Sequence, residues 1–371
     1  MNEGKAARFH RLRRRSRRLA FVARAGVLLA VVAWGYPADF VDSVLPVAVL
    51  PDAVRVVLGA GLFAAALFLA GELLALPFVF HADFLLERRF GLSRESLGGW
   101  LLGQGQATVM RLVGWAAGAV GVYAAIGIWP GTWWKLAGAG WLVAGVAQAS
   151  LASAMLARRT RPLERPALRA RLEALTRRVG APNIAIHEWR VGPTSDAANA
   201  AVVGVGPSRR ILVSDTLLED YSDEEIEVII AHEIGHHVHW DMWQTIICAA
   251  AVALAAFWTA DTVLNAAPLS LLGVEGLWDV GSVPLLALVY GAVTIAAAPI
   301  VNLLSRWHER RADRYALRVT GNLEAFVSGL RRVSAQYLAE ERPPRLVEWF
   351  FHSHPSLAAR MAGARAAASK S

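Results

Sequence analysis

Six stretches of mainly apolar residues, each near the length needed to cross a bilayer, constrain this chain more than any other feature: 19–37, 54–76, 110–129, 136–157, 242–264 and 283–304. In hydrocarbon a segment must satisfy its own backbone N–H and C=O groups, which about 20 apolar residues achieve as a helix. The expected fold is therefore mainly α, a polytopic helical membrane protein of about six spans. A composition of 55% hydrophobic and 18% charged residues suits such a protein with a sizeable aqueous part. Arg24 and Glu72 lie near the ends of the first two spans, where charged groups reach the interface. Trp129, Trp133 and Trp134 mark an interfacial belt. The apolar piece 41–50, broken by Pro46, is too short to cross and reads as a loop or a partial span.

Charge sets the expected orientation. Nine Lys or Arg lie between Lys5 and Arg24, directly before the first span. The positive-inside tendency puts that end in the cytoplasm, and six spans bring the C-terminus to the same side. The loop 81–109, the block 158–241 and the tail from Ser305 then share that side. The outer loops hold Asp39, Asp42, Asp52, Asp261, Glu275 and Asp279. The expected location is the inner (plasma) membrane, multi-pass, with both termini cytoplasmic. The net charge of +8 is concentrated beside apolar spans, which fits anionic lipid and argues against nucleic acid as a partner. The single cysteine, Cys248, excludes an intramolecular disulfide. The basic N-terminus has no small-residue cleavage site and is expected to be an uncleaved anchor. Four parts follow: a membrane domain of about four spans with a basic tail (1–157), a cytoplasmic block (158–241), a transmembrane hairpin (242–304) and a cytoplasmic C-terminal part (305–371).

Within the block, 158–180 reads as a basic amphipathic helix along the inner leaflet, with Leu168, Leu172 and Leu175 on one face. Ile184–Trp189, Ala200–Val205 and Arg210–Ser214 read as strands, the last two joined by a Gly206-Pro207-Ser208 turn. Ser222-Asp223-Glu224-Glu225 is a capping box that starts a helix. That helix carries His232-Glu233-Ile234-Gly235-His236. Positions i and i+4 share a helix face, so His232 and His236 can reach one Zn²⁺, with Glu233 placed to take a proton from water at the open position. His237 is turned about 100° away and reads as solvated or packing. His239 returns to nearly the ligand face but lies about 10 Å further along the axis, too far to share the metal. His187-Glu188 has no second histidine at the required spacing, since residue 191 is valine.

A catalytic zinc takes three protein ligands, and the third is expected from another helix. Residues 305–313, directly after the last span, are its source. Glu309 and Asp313 are four apart, so Glu309 can ligate while Asp313 accepts a hydrogen bond from a ligand imidazole. His308 is a rival ligand, off that face, and the segment by itself also reads as a charged juxtamembrane helix. A small sheet just ahead of a metal helix suits a peptidase whose edge strand pairs with an extended peptide. A plain structural hairpin is the alternative.

Together these motifs resemble the integral-membrane zinc endopeptidases typified by the type I CAAX prenyl protease, with the bacterial heat-shock membrane protease as a cousin. The resemblance runs from about Ala75 onward. It rests on the His232–His236 motif, on Ser305-Arg306 followed by Glu309 and Asp313, and on Ser195 to Leu218. It also rests on His352-Ser353-His354-Pro355-Ser356-Leu357 with Arg360, and upstream on Leu76-Pro77-Phe78 and Glu87-Arg88-Arg89-Phe90-Gly91-Leu92 through Leu97-Gly98. It implies a zincin-like catalytic part with one Zn²⁺ per chain on His232, His236 and Glu309, and Glu233 as general base. It makes Asp313 the second acidic residue, often assigned as a proton donor, where the spacing favours an orienting role. It puts His354 and Arg360 in the active-site lining, where a histidine can stabilise an oxyanion, and Asn199, Ala200 and Ala201 on the substrate strand. It implies a peptide or membrane-protein substrate, with CaaX cleavage or clearance of damaged membrane proteins as alternatives. The rival from another class is a membrane scaffold or transporter with a structural zinc. The sequence is silent on oligomeric state.

Overall fold

The basic N-terminal stretch and most of the first expected span form one helix, α1 (Asn2–Trp34). The computed structural model describes residues 2–35, 43, 50–157, 160–180, 184–189, 199–203 and 209–369. Helix α1 packs along a rod built from α2 (Asp52–Phe80), a π-helical turn (His81–Leu85) and α3 (Leu86–Phe90). Pro77 inside α2 lacks an N–H and crowds the preceding carbonyls, and the hydrogen-bond ladder widens to the π register just beyond it. Gly91 ends the rod at φ 76°, a left-handed conformation glycine adopts without a Cβ penalty. The next helix, α4 (Leu97–Ile128), starts soon after under a Ser96 cap. The loop expected over 81–109 is thus mostly helix. Helix α5 (Trp133–Ala157) follows.

Among the described residues, five helices are long and apolar enough to cross a membrane: Asp52–Phe90, Leu97–Ile128, Trp133–Leu156, Asp241–Ala266 and Val280–Thr320. The first of the six expected spans, 19–37, runs into residues outside the described set, and its described part is the C-terminal half of α1. That half keeps Arg24 among apolar helices by a two-pronged pair with Glu72 of α2, at 2.7 and 3.2 Å. The expected turn at 206–208 and most of the piece 41–50 also lie outside the described residues. The helices close on Phe63, Tyr123, Trp133, Phe257 and Ala260, with small residues letting backbones approach. A Cβ on Gly61 would come within 2.6 Å of Val120 Cγ2, which is how α2 and α4 touch. Leu73, Leu102, Met110 and Ile300 face outward, as a lipid-facing surface requires.

The aqueous half begins with β1 (Thr160–Pro162), α6 (Pro166–Arg178), β2 (Ala185–Trp189), β3 (Ala200–Val203), β4 (Arg210–Ser214), α7 (Asp215–Asp220) and α8 (Asp223–Val238). Then come α9 (Asp241–Ala266), α10 (Val283–Thr320), α11 (Leu323–Gln336), α12 (Arg345–Phe351) and α13 (Leu357–Ala368). The sheet order is β1-β2-β4-β3, with β2 parallel and β3 antiparallel to β4. Helix α6 corrects the expectation for 158–180. Residues 160–162 are a strand, and Leu168, Leu172 and Leu175 are fully buried against Ile211, Val213, Ile226 and Ile230 rather than in lipid. The basic face of α6 is likewise spent inside the protein: Arg165 pairs with Asp223, and Arg171 and Arg178 pair with Glu224 and Glu227 of α8. His187 and Glu188 sit in β2 and bind Thr160 and Arg161 of β1.

Candidate metal centre and active site

Helix α8 starts where the sequence says it should. Ser222 Oγ accepts from Glu225 N (3.2 Å) and Glu225 Oε2 accepts from Ser222 N (2.9 Å), a reciprocal cap. Its partner is α10, whose 38 residues extend about 57 Å, nearly twice the roughly 30 Å hydrocarbon core. The last apolar run and the segment carrying Glu309 are therefore one continuous helix. Gly235 lets the two helices meet. A Cβ there would lie 3.2 Å from Ala312 Cα and 3.3 Å from Tyr315 Cβ.

This contact brings His232, His236 and Glu309 together, with one ligand atom from each within 4.8 Å of the others. Glu309 Oε2 is 3.6 Å from His232 Nε2, and Oε1 is 3.5 Å from His236 Nε2. The far side of each ring faces a carboxylate. His236 Nδ1 donates to Asp241 Oδ2 at 2.8 Å. His232 Nδ1 lies 3.0 Å from Asp313 Oδ1, close but outside aligned hydrogen-bond geometry. With the protons on the Nδ1 side, both Nε2 lone pairs face each other across 3.1 Å. Glu309 Oε2 is buried beside them with no hydrogen-bond partner. In that tautomer the two Nε2 lone pairs and the Glu309 carboxylate make up the donor set of a bound cation, so the residues fit a metal.

Electrostatics point the same way. Burial alone would lower the His236 pKa, yet Glu309 and Asp241 beside it raise it to about 9: the site attracts positive charge. Burial pushes the Glu233 carboxyl above the usual carboxylate range, against the pull of His232 and His236. A base held nearer neutrality is better matched to accepting and returning a proton.

Behind the cluster, Arg360 of α13 grips Asp313 through Nε (2.9 Å) and Nη2 (2.5 Å), with Nη1 3.4 Å from Glu309 Oε2. His354 is mostly exposed and puts Nε2 3.3 Å from Glu309 Oε1. His308, the rival ligand, turns away and bonds Gln244 Oε1 at 3.0 Å. His239 caps α8 through Gly235 O and packs its ring on Tyr315. The sequence reading missed Asp241, which accepts from both His236 and Arg311. Its only signal is an acidic residue five positions after His236 where a new helix starts. Gly235 was visible too, as the smallest residue between the histidines.

The cluster opens into a cavity of about 420 Å³ lined by Asn199, Ala200, Glu233, His354, Arg360 and the apolar face of α11. Phe326, Leu330 and Val333 of that face are spaced at helical intervals, a wall the sequence reading left unassigned. Strand β3 forms the opposite rim. Ser214 N donates to Asn199 O at 2.9 Å, so Asn199 and Ser214 are a hydrogen-bonded pair. By the antiparallel alternation, Ala200 and Val202 turn their N–H and C=O away from β4, toward the edge of the sheet, where no strand pairs with them among the described residues. Ala201 spends its backbone on β4, and its side chain is not in the cavity lining. Of the three expected strand residues, Asn199 and Ala200 reach the cavity and Ala201 does not.

Helical spans joined to a histidine–glutamate cluster of this kind define a membrane protein of metallopeptidase type. Residues 162–368, over half of the chain, match the model of Peptidase family M48, and the chain belongs to that family. It is similar to the uncharacterized metalloprotease YhfN of Bacillus subtilis, 32% identical over 54% of this chain and 48% of the relative. It is similar to a protease HtpX homolog of Aeropyrum pernix, 29% identical over 48% of this chain and 54% of the relative. A probable CAAX prenyl protease 1 of Schizosaccharomyces pombe is 22% identical over 79% of this chain and 63% of the relative. The chain thus spans about half the length of the first two of these relatives. The crystal structure of S. mikatae Ste24p shares the fold, with a TM-score of 0.77 at 20% identity over 98% of this chain and 88% of that one.

Proposed function

We propose that the chain is a zinc-dependent endopeptidase that cleaves peptides at the cytoplasmic face of the inner membrane, with a CAAX prenyl protease-like mode of action. One observation supports the reading: two Nε2 atoms and the Glu309 carboxylate converge beside half-buried Glu233, next to the outward-facing backbone of β3. The cytoplasmic placement is supported by the basic α1, which meets the segment after α11 through His10 and Arg14.

His232, His236 and Glu309 would hold one Zn²⁺, which supplies Lewis acidity and lowers the pKa of water when bound. Asp241 and Asp313 keep the two imidazoles in the tautomer that offers Nε2, and Arg360 holds Asp313 in place. An extended peptide pairs with Ala200 and Val202 as an added strand, which lays its scissile carbonyl beside Glu233. Glu233 takes the proton of the attacking water and returns it to the leaving amine. His354 is placed to donate to the carbonyl oxygen as it gains negative charge. Glu233→Gln keeps the shape of the site and removes the base. Zinc stoichiometry should stay at one while peptide cleavage is lost, and cleavage surviving at more than a few per cent would sink the mechanism.

Similarity to HtpX homologs over about half of the chain favours a second reading, removal of damaged membrane proteins. Trapping substrates with Glu233→Gln in native membranes separates the two: short C-terminal peptides of lipid-modified proteins support the first, and misfolded integral proteins the second.

A further inference from the structure

Several arginines of the aqueous half are paired with carboxylates. Arg165, Arg171 and Arg178 pair with those of α8. In α1, Arg13 and Arg17 pair with Asp83, and Arg14 forks onto Glu340. Arg11, Arg15 and Arg18 are exposed and have no carboxylate within ion-pair distance among the described residues. With Val22 they recur at spacings of four, three and four, so three uncompensated guanidinium groups and an apolar side chain share one helix face.

That face looks into a cleft of about 530 Å³ between α1 and α12, with Arg14, Leu19, Val22 and Val347 completing its walls. The volume is within the roughly 300–1,000 Å³ of ordinary ligand sites. The cleft lies at the membrane boundary. The last apolar run ends near Asn302, whose Nδ2 donates to Phe350 O (2.6 Å), and Arg306 Nη1 donates to the carbonyls of Glu348 (2.9 Å) and His352 (2.7 Å). Helix α12 is therefore held where α10 leaves the bilayer. Its Leu346, Trp349 and Phe351 are exposed, as an interfacial aromatic anchor is. Basic at one end and apolar at the other, the cleft matches a phospholipid: planar guanidinium forks suit phosphate oxygens, and Leu19 and Val22 suit acyl chains.

We propose that the α1–α12 cleft binds one anionic phospholipid of the inner leaflet, its phosphate held by Arg11, Arg15 and Arg18 and its chains laid along Leu19, Val22 and Val347. The site bears on catalysis through its neighbours. Arg14 on Glu340 and His10 on Leu338 O (2.8 Å) fasten the segment that follows α11, and Tyr337 of that segment lines the catalytic cavity. A lipid in the cleft therefore braces one wall of the cavity.

The test counts lipid on the full-length protein in detergent, by native mass spectrometry during titration with phosphatidylglycerol or phosphatidylcholine. Arg11→Gln/Arg15→Gln/Arg18→Gln should weaken phosphatidylglycerol retention by about tenfold or more and leave phosphatidylcholine retention unchanged. Arg8→Gln/Arg89→Gln/Arg94→Gln removes the same charge from exposed positions outside the cleft and should retain the lipid. Equal loss in both variants, no loss in the first, or equal retention of the two lipids by the native chain overturns the proposal. Displacement of the lipid by inorganic phosphate also overturns it, since that marks a free-phosphate site. The inference rests on the helices crossing a bilayer. Release of the protein from native membranes by alkaline carbonate defeats that reading, while the comparison of the two variants tests the cleft alone.

Discussion

Asp241→Asn isolates the tether behind His236. The native carboxylate serves two donors at once, His236 Nδ1 at 2.8 Å through Oδ2 and Arg311 through Oδ1. An asparagine has one acceptor oxygen, so its amide N–H₂ must face one of these partners. Facing Arg311, it sets donor against donor and leaves a half-buried guanidinium unpaired. Facing His236, it favours the tautomer with the proton on Nε2, which removes the lone pair aimed at Glu309 and His232. Either outcome weakens the ligand set, and loss of such an orienting partner typically costs 10- to 100-fold in metal affinity, about 1.4–2.7 kcal/mol. The assay is competitive zinc titration of detergent-solubilised protein against a chromophoric chelator, with a parallel melting curve. Arg311→Gln is the control, because it breaks the Arg311 pair and spares the His236 bond. Zinc affinity should fall at least tenfold for Asp241→Asn and less than threefold for Arg311→Gln. Equal loss in the two variants, or an Asp241→Asn affinity within twofold of native, would refute the tautomer argument.

Ala200→Pro deletes an N–H directed at the sheet edge and should raise KM roughly two- to tenfold, the worth of one backbone hydrogen bond, with zinc content unchanged. Ala201→Pro removes an N–H used by β4 and should lower the melting temperature instead. Gly235→Val pushes a branched side chain into Ala312 and Tyr315, where overpacking costs about 1–3 kcal/mol, and zinc affinity should drop more than with Gly235→Ala. Stripping zinc with a chelator should abolish cleavage and leave far-ultraviolet circular dichroism unchanged. The reason is that α8 and α10 are also held by Ile226, Ile230, Ile234 and Ala316. Loss of helical signal on chelation would favour the scaffold with structural zinc.

Local information carried a long way in this chain. Apolar run length is enough to locate helices in hydrocarbon, and the five membrane-length helices overlap the five later candidate runs to within a residue at their ends or enclose them. The cap at Ser222, the one-face placement of His232 and His236, and the offset of His237 and His239 follow from helical periodicity, so the sequence held them outright. The pairing of Glu309 with Asp313 was legible for the same reason. Periodicity gives the direction of an apolar face and says nothing of what covers it. The stripe on α6 accordingly fits lipid or a protein core equally well, and only the packed sheet decides for the core.

What the fold alone decided is everything that depends on two segments meeting. Asp241 orients His236 because α9 begins immediately beside the end of α8, and Arg360 clamps Asp313 across 47 positions of sequence. Glu309 faces the histidines because Gly235 admits α10 to contact and because the last span continues unbroken into the ligand helix. Sequence spacing specifies angles along one helix, whereas distances between helices are set by which side chains are absent from the interface. The residue types of the candidate metal site stand in the chain, and their approach to within a few ångströms is the work of a glycine and a helix nearly twice as long as a bilayer is thick.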